Sequence, residues 1–136
     1  MATDSGRPTS TSQRVAALIG GAFGMAGVIA GTRVLGGLDV PDYQVLPWLV
    51  VYNVVTSAVA VVVAVALWRG QRWATNGARG LAVAHALVLA GLAGLRVTGA
   101  GVADDSLAAM GLRTLVWALI ALSSRTRQSP SARGPG

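Results

Sequence analysis

The 136-residue chain contains no cysteine, no lysine and no glutamate, and it has a single histidine. The absence of cysteine excludes disulfides, thiol catalysis and cysteine-bound metals or clusters. With one histidine and no acidic residue inside the apolar runs, the sequence offers no metal-ligand cluster and no carboxylate pair for acid–base catalysis. We therefore predict no catalytic residue, no metal site and no resident cofactor.

Charge is also scarce. Only 12% of the residues are charged and 53% are apolar, whereas soluble domains are roughly 25% charged. All eleven basic residues are arginine and all five acids are aspartate, a bias that, with abundant Ala, Gly and Val, is typical of a GC-rich bacterial genome. The net charge is +6, but the arginines are scattered at the ends of apolar runs. This placement indicates membrane topology, so we predict no nucleic-acid partner.

Four apolar runs organise the chain. About 20 helical residues cross a hydrocarbon core of ~30 Å, and helices satisfy their own backbone hydrogen bonds in lipid. Continuous apolarity, without period-two alternation, argues against an outer-membrane barrel. The ends, residues 1–14 and 125–136, are rich in Ser, Thr, Gly, Pro and Arg and predict disordered tails. We predict an all-α integral membrane four-helix bundle, with helices at about 15–34, 46–68, 78–97 and 106–124.

The distribution of arginine predicts the orientation. Eight arginines lie in the two tails and in the connection 68–79, while the other two connections hold only Arg33 and Arg96 together with four aspartates. Both termini should therefore face the cytoplasm. The chain is predicted to be a multi-pass protein of the bacterial inner (cytoplasmic) membrane, in contact with membrane lipids.

The first helix carries a stripe of glycines at offsets of 0, 4, 7 and 11 residues. Small residues at this spacing let helices approach closely in a bilayer. The stripe indicates packing inside the bundle, and the alternative is a homodimer seam through its GxxxG segment. Its members are Gly20, Gly24, Gly27 and Gly31.

Two polar residues lie inside the second and third helices. Asn53 needs a hydrogen-bond partner in the bundle or in trapped water, and it is either structural or a ligand contact. His85 is predicted about a third of the way along its helix, bonded to Asn53 or to a serine hydroxyl. Intramembrane ionisable groups are also functional candidates, so a proton relay, a quinone contact or haem ligation stays open for His85.

Arg113 is the most informative residue, because a cation at the centre of a membrane helix costs about 2.5–3.5 kcal/mol on an insertion scale. We expect Arg113 to point inward at a depth similar to that of Asn53. One interpretation is an ion pair with an aspartate, Asp42, Asp104 or Asp105, that holds the loops over the bundle. The other is a pocket open to the outer side, built from Arg113, Asn53, Tyr52 and one or more of these aspartates, for an anionic headgroup, a carboxylate or a quinone carbonyl.

Arg14 stands before a Gly-rich first helix with Phe23 and Ala26-Gly27, and Arg33 follows. In this order of features, the first forty residues resemble DoxX-like small bacterial membrane proteins. The resemblance implies a four-helix fold with both ends inside and a link to quinone or redox physiology.

We thus expect a non-enzymatic membrane protein that binds a lipid-like or quinone-like ligand or serves as an accessory subunit of a larger membrane complex. A small transporter component, acting as a homodimer, is the first alternative. A membrane redox partner using His85 is the second.

Overall fold

The computed structural model describes residues 9–42 and 45–125, and over these residues the chain forms four α-helices and no strand. Each helix is long and apolar enough to cross a membrane, which confirms the predicted all-α four-helix membrane fold. Residues 1–8 and 126–136 of the predicted tails lie outside the described residues. The helices are α1 Thr11–Leu35, α2 Pro47–Trp68, α3 Ala74–Val97 and α4 Asp104–Arg125.

The start of α1 differs from the prediction, because residues 11–14 are helical rather than part of a tail. The Ser10 side chain accepts a hydrogen bond from the Gln13 backbone N–H at 3.3 Å and caps the helix. Such a cap satisfies one of the backbone donors that a helix start leaves unpaired. The Gln13 Nε2 also donates to the Leu67 carbonyl at 3.0 Å, which ties the start of α1 to the end of α2.

Helices α3 and α4 also begin earlier than predicted. Helix α3 starts at Ala74 rather than at residue 78, and both Ala74 and Ala78 are completely buried. Helix α4 starts at Asp104 rather than at residue 106, with Asp104 and Asp105 in its first turn. Carboxylates there interact favourably with the positive end of the helix dipole.

Two glycines make the short connections after α2 and α3. Gly70 and Gly99 have φ angles of +70° and +82°, a left-handed conformation in which a Cβ atom is unfavourable. After each glycine, a backbone N–H donates a hydrogen bond to a carbonyl in the last turn of the preceding helix. After α2, for example, Gln71 N donates to Ala66 O at 2.9 Å. This bond pattern satisfies carbonyls that the helix end would leave unpaired.

The helices form a four-membered ring in chain order. Helix α1 packs mainly on α2, and α3 packs mainly on α4, while smaller contacts between α2 and α3 and between α1 and α4 close the ring. In the described part of the chain, the backbones of α2 and α4 do not approach each other closely, and the two helices face each other across the diagonal. One end of the bundle therefore holds the start of α1 and the end of α4.

Two apolar clusters fill the bundle, one toward each end. The cluster at the terminal end includes Leu67, Leu81, Trp117 and Ile120 with many small residues. The cluster at the opposite end is centred on Leu49, Leu92 and Met110. Between the two lies a set of polar side chains, which we call the polar layer: Tyr52, Asn53, Ser57, His85 and Arg113.

Candidate functional site

Arg113 lies at mid-depth in the bundle and reaches across its diagonal. It follows Asp104 by nine residues, which is about 14 Å along the axis at ~1.5 Å per residue. Its Nη1 donates to Asn53 Oδ1 at 3.3 Å and to Ser57 Oγ at 3.3 Å. Because both acceptors are on α2, the long arginine side chain forms hydrogen bonds between two helices that lie diagonally opposite each other.

A glycine on α1 leaves room for this guanidinium. A Cβ atom added at Gly27 would overlap the Ser57 hydroxyl and would come within 3.2 Å of Arg113 Nη2. Gly27 and Ser57 are both buried. The small side chains of α1 and α2 therefore create the space that the Arg113 head occupies.

Within residues 9–42 and 45–125, no carboxylate pairs with Arg113. Asp104 instead forms an ion pair with Arg96 at the end of the bundle, and its side chain is 82% exposed. Asp105 is exposed in the same first turn of α4. The predicted contact of Asp104 or Asp105 with Arg113 is therefore corrected. Both lie in the first turn of the helix that carries Arg113, about 12–14 Å along its axis at ~1.5 Å per residue.

The other ion pair of the described chain closes the end of α1. Arg33 Nε lies 2.7 Å from Asp39 Oδ2, and Nη2 donates to Oδ1 at 2.8 Å. The hydrogen bonds and positive charge of Arg33 hold the pKa of Asp39 below its ordinary value. This pair is separate from the polar layer.

Arg113 keeps unused hydrogen-bond donors. Among the described residues its hydrogen bonds come only from Nη1, and their acceptors are neutral. In this part of the chain, Arg79 Nε is the one side-chain polar atom that is completely buried and has no hydrogen-bond partner. Arg113 Nε and Nη2 also have no partner there, so they are not completely buried. The arrangement therefore presents a positive charge with donors that an added acceptor could use.

Tyr52 and His85 form a second polar contact in the layer. The Tyr52 hydroxyl and His85 Nδ1 are 3.0 Å apart, and the rings meet edge to face at 85°. His85 is 2% exposed and lies at the midpoint of α3, since that helix begins at Ala74. The structure corrects two predictions for His85. It lies at the midpoint of its helix rather than one third along it, and its partner is Tyr52 rather than Asn53 or a serine.

The choice of partner has a geometric reason. Tyr52 and Asn53 are adjacent on α2, and successive residues of a helix are about 100° apart around its axis. The two side chains therefore point to different neighbours. Tyr52 reaches α3, whereas Asn53 meets the side chain that comes from α4.

The glycine stripe of α1 lies against other helices of the same chain. A Cβ atom at Gly24 would come 2.9 Å from the Ser57 carbonyl, and one at Gly20 would come 3.1 Å from the Trp117 ring. Gly31 faces Val54 in the same way. These glycines allow α1 to approach α2 and α4 closely within one bundle.

The site has one member that the sequence-based prediction did not include. Ser57 is 3% exposed and accepts from Arg113. Its position one helical turn after Asn53 placed it on the same face of α2, and this spacing was the available signal. The sequence pattern does not indicate that Ser57 lies beside Gly27 of α1.

No family model, curated protein or solved structure matches this chain. The resemblance to DoxX-like proteins therefore stays a hypothesis based on the first forty residues. The described residues contain no group of three or more His, Asp or Glu side chains that could hold a metal ion. What the polar layer offers chemically is a fixed cation with free donors beside a tyrosine–histidine pair, an arrangement suited to binding a polar headgroup.

Proposed function

We propose that this chain is a small multi-pass membrane protein that binds an amphiphilic, lipid-like or quinone-like molecule through Arg113. The observation that carries the proposal is a guanidinium at mid-depth whose hydrogen bonds to the described residues go only to the neutral acceptors Asn53 and Ser57. Its remaining donors can bind an acidic or carbonyl headgroup. The role is non-enzymatic, since binding needs neither a nucleophile nor a general base.

The energetics of Arg113 favour a functional role over a structural one. A cation at this depth costs about 2.5–3.5 kcal/mol on the insertion scale. Side-chain hydrogen bonds between membrane helices contribute about 0.6 kcal/mol each on average, so the two bonds to α2 offset less than half of the cost. Residues that a fold retains against its own stability are typical of binding sites.

The geometry is compatible with two kinds of headgroup. A carboxylate or phosphate can accept two parallel hydrogen bonds from a guanidinium, the strongest arrangement for arginine. A quinone carbonyl accepts one such bond, and the Tyr52–His85 pair in the same layer provides further polar atoms. In both cases the exposed apolar side chains of the four helices suit the hydrocarbon part of the molecule.

The distribution of arginine supports an orientation with both termini in the cytoplasm, and the composition supports the inner membrane of a bacterium. Roles as an accessory subunit, a transporter component or a redox partner using His85 stay predictions.

Native mass spectrometry of the full chain, released from the membranes that produced it, tests the proposal. The wild type should keep an amphiphile with an acidic or carbonyl headgroup. Arg113→Met should lose this adduct, because its side chain has similar length but no charge. Arg72→Ala, which removes an exposed arginine outside the polar layer, should keep it. Equal occupancy in wild type and Arg113→Met would overturn the proposal.

A further inference from the structure

A second, separate feature lies on the outer surface of the bundle between α1 and α2. It is a groove of about 430 Å³, which we call the α1–α2 groove. Its described lining residues all belong to α1 and α2, so it faces away from the polar layer. Its walls are apolar and include Ala17, Gly21 and Met25 of α1 and Ala64, Val65 and Trp68 of α2.

A cation is fixed at one end of the α1–α2 groove. The Arg14 guanidinium carbon lies 5.7 Å from the centroid of the Trp68 ring, within the range of a cation–π contact. Its Nε donates to Thr9 Oγ1 at 3.0 Å. These two contacts orient Arg14, and in the described part of the chain they leave its two Nη groups without a hydrogen-bond acceptor.

The length of this arrangement matches one leaflet of a bilayer. Arg14 precedes Met25 by eleven residues, which is about 17 Å along α1 at ~1.5 Å per residue. Half of a hydrocarbon core of ~30 Å is about 15 Å. A chain that enters the groove beside Trp68 would therefore run to the middle of the membrane.

We propose that the α1–α2 groove binds one acyl chain of an anionic phospholipid of the surrounding bilayer, with the lipid phosphate at Arg14. The described lining of the groove is apolar along its length, and Arg14 lies at its interfacial end, which is the polarity pattern of such a lipid. A guanidinium forms paired hydrogen bonds with phosphate oxygens. Lipid and protein are thus complementary in charge, polarity and length.

This site is independent of the proposed ligand site at Arg113. The groove residues belong to α1 and α2 and face outward, whereas Arg113 extends from α4 into the interior. Loss of either site leaves the other intact, so their tests have separate outcomes.

The test uses the full chain reconstituted in vesicles of phosphatidylcholine and phosphatidylglycerol, followed by native mass spectrometry. The wild type should retain phosphatidylglycerol in preference to phosphatidylcholine. Arg14→Gln should lose this adduct because the cation is absent. Ala22→Phe should also lose it, since Ala22 is exposed and lines the groove and a phenyl ring there fills the space. These comparisons are made in the Arg113→Met background, which should itself retain the phosphatidylglycerol adduct, so that lipid bound at Arg113 is not counted.

Ala86→Phe is the matched control, because Ala86 is also exposed but lies on α3, outside the groove. This variant should keep the phosphatidylglycerol adduct. The proposal is overturned if Arg14→Gln or Ala22→Phe retains the adduct, if Ala86→Phe loses it as well, or if phosphatidylcholine is retained equally. Conversion of a dimer into a monomer by Ala22→Phe would also overturn it and would identify a second copy of the chain as the occupant.

Discussion

Replacing Arg113 by methionine should leave the bundle at least as stable as the wild type, although the side chain is half-buried and hydrogen-bonded. Methionine has a flexible apolar side chain that fills irregular space. No described carboxylate pairs with Arg113, so the substitution leaves no buried negative charge behind. The groups that lose a donor are the neutral oxygens of Asn53 and Ser57.

The magnitude follows from the two opposing contributions. Removing the cation relieves a cost of about 2.5–3.5 kcal/mol. It also removes two hydrogen bonds, and such bonds between membrane helices contribute about 0.6 kcal/mol each on average. Both bonds are 3.3 Å long, which is longer than the usual N–H···O distance, so neither is unusually strong. The expected result is a gain of about 1–2 kcal/mol in the free energy of unfolding, by difference of these two values.

Reversible unfolding in bicelles, driven by titration with dodecyl sulfate, measures this difference. Arg113→Lys is the matched variant, because it keeps the charge but loses the planar donor geometry, and it should show no gain. Breaking a buried ion pair by removing one partner typically costs about 3–5 kcal/mol. A loss of that size in Arg113→Met would show that Arg113 holds the bundle together, and it would refute our interpretation of the residue.

Two further predictions concern the packing of α1 and its end. Gly27→Ala should lower the free energy of unfolding by about 1–3 kcal/mol through overpacking. Gly21→Ala should be nearly neutral, since its Cβ would lie 3.5 Å from another methyl group. Chemical unfolding of both variants measures the difference. At the end of α1, Arg33 lowers the pKa of Asp39, so the stability contributed by this carboxylate is present above about pH 4 and is lost as pH falls through the lowered pKa. In an NMR titration, Arg33→Gln should move the Asp39 pKa up toward its ordinary value, and an unchanged pKa would contradict the assignment.

The number and type of the helices could be predicted from sequence because continuous apolar runs of membrane-spanning length have few alternatives. The bounds were less accurate for a physical reason. Charged and polar residues near a helix start, such as Gln13 and Arg14, interrupt the apolar run without interrupting the helix. The cap at Ser10 and the burial of Ala74 extend α1 and α3 beyond the apolar segments.

The candidate site could be predicted only in part. Depth along each helix placed Asn53 and Arg113 at the same level, and the structure brings them within hydrogen-bond distance. The sequence pattern of single helices does not encode which helices are neighbours, so the diagonal reach of Arg113 had no sequence signal. The pairing of Asp104 with Arg96 depends on the short connection between α3 and α4, which the apolar runs do not describe.

Ser57 shows why hydroxyl residues are difficult to assign. Serine and threonine inside a helix commonly bond to the carbonyl of the preceding turn, as Thr56 does to Tyr52 O at 2.8 Å. Ser57 accepts from Arg113 instead, because its side chain faces the space left by Gly27. The difference depends on the neighbouring helices and not on the residue type.

The central claim is that Arg113 recognises a headgroup, and the most direct measurement is the change in unfolding free energy on adding defined amphiphiles. A ligand at 100 times its dissociation constant stabilises the folded state by about 2.7 kcal/mol. Oleate or decylubiquinone should stabilise the wild type and not Arg113→Met, whereas octadecene, which lacks a headgroup, should stabilise neither. Equal stabilisation of wild type and Arg113→Met, or no stabilisation of the wild type by either amphiphile, would contradict the claim.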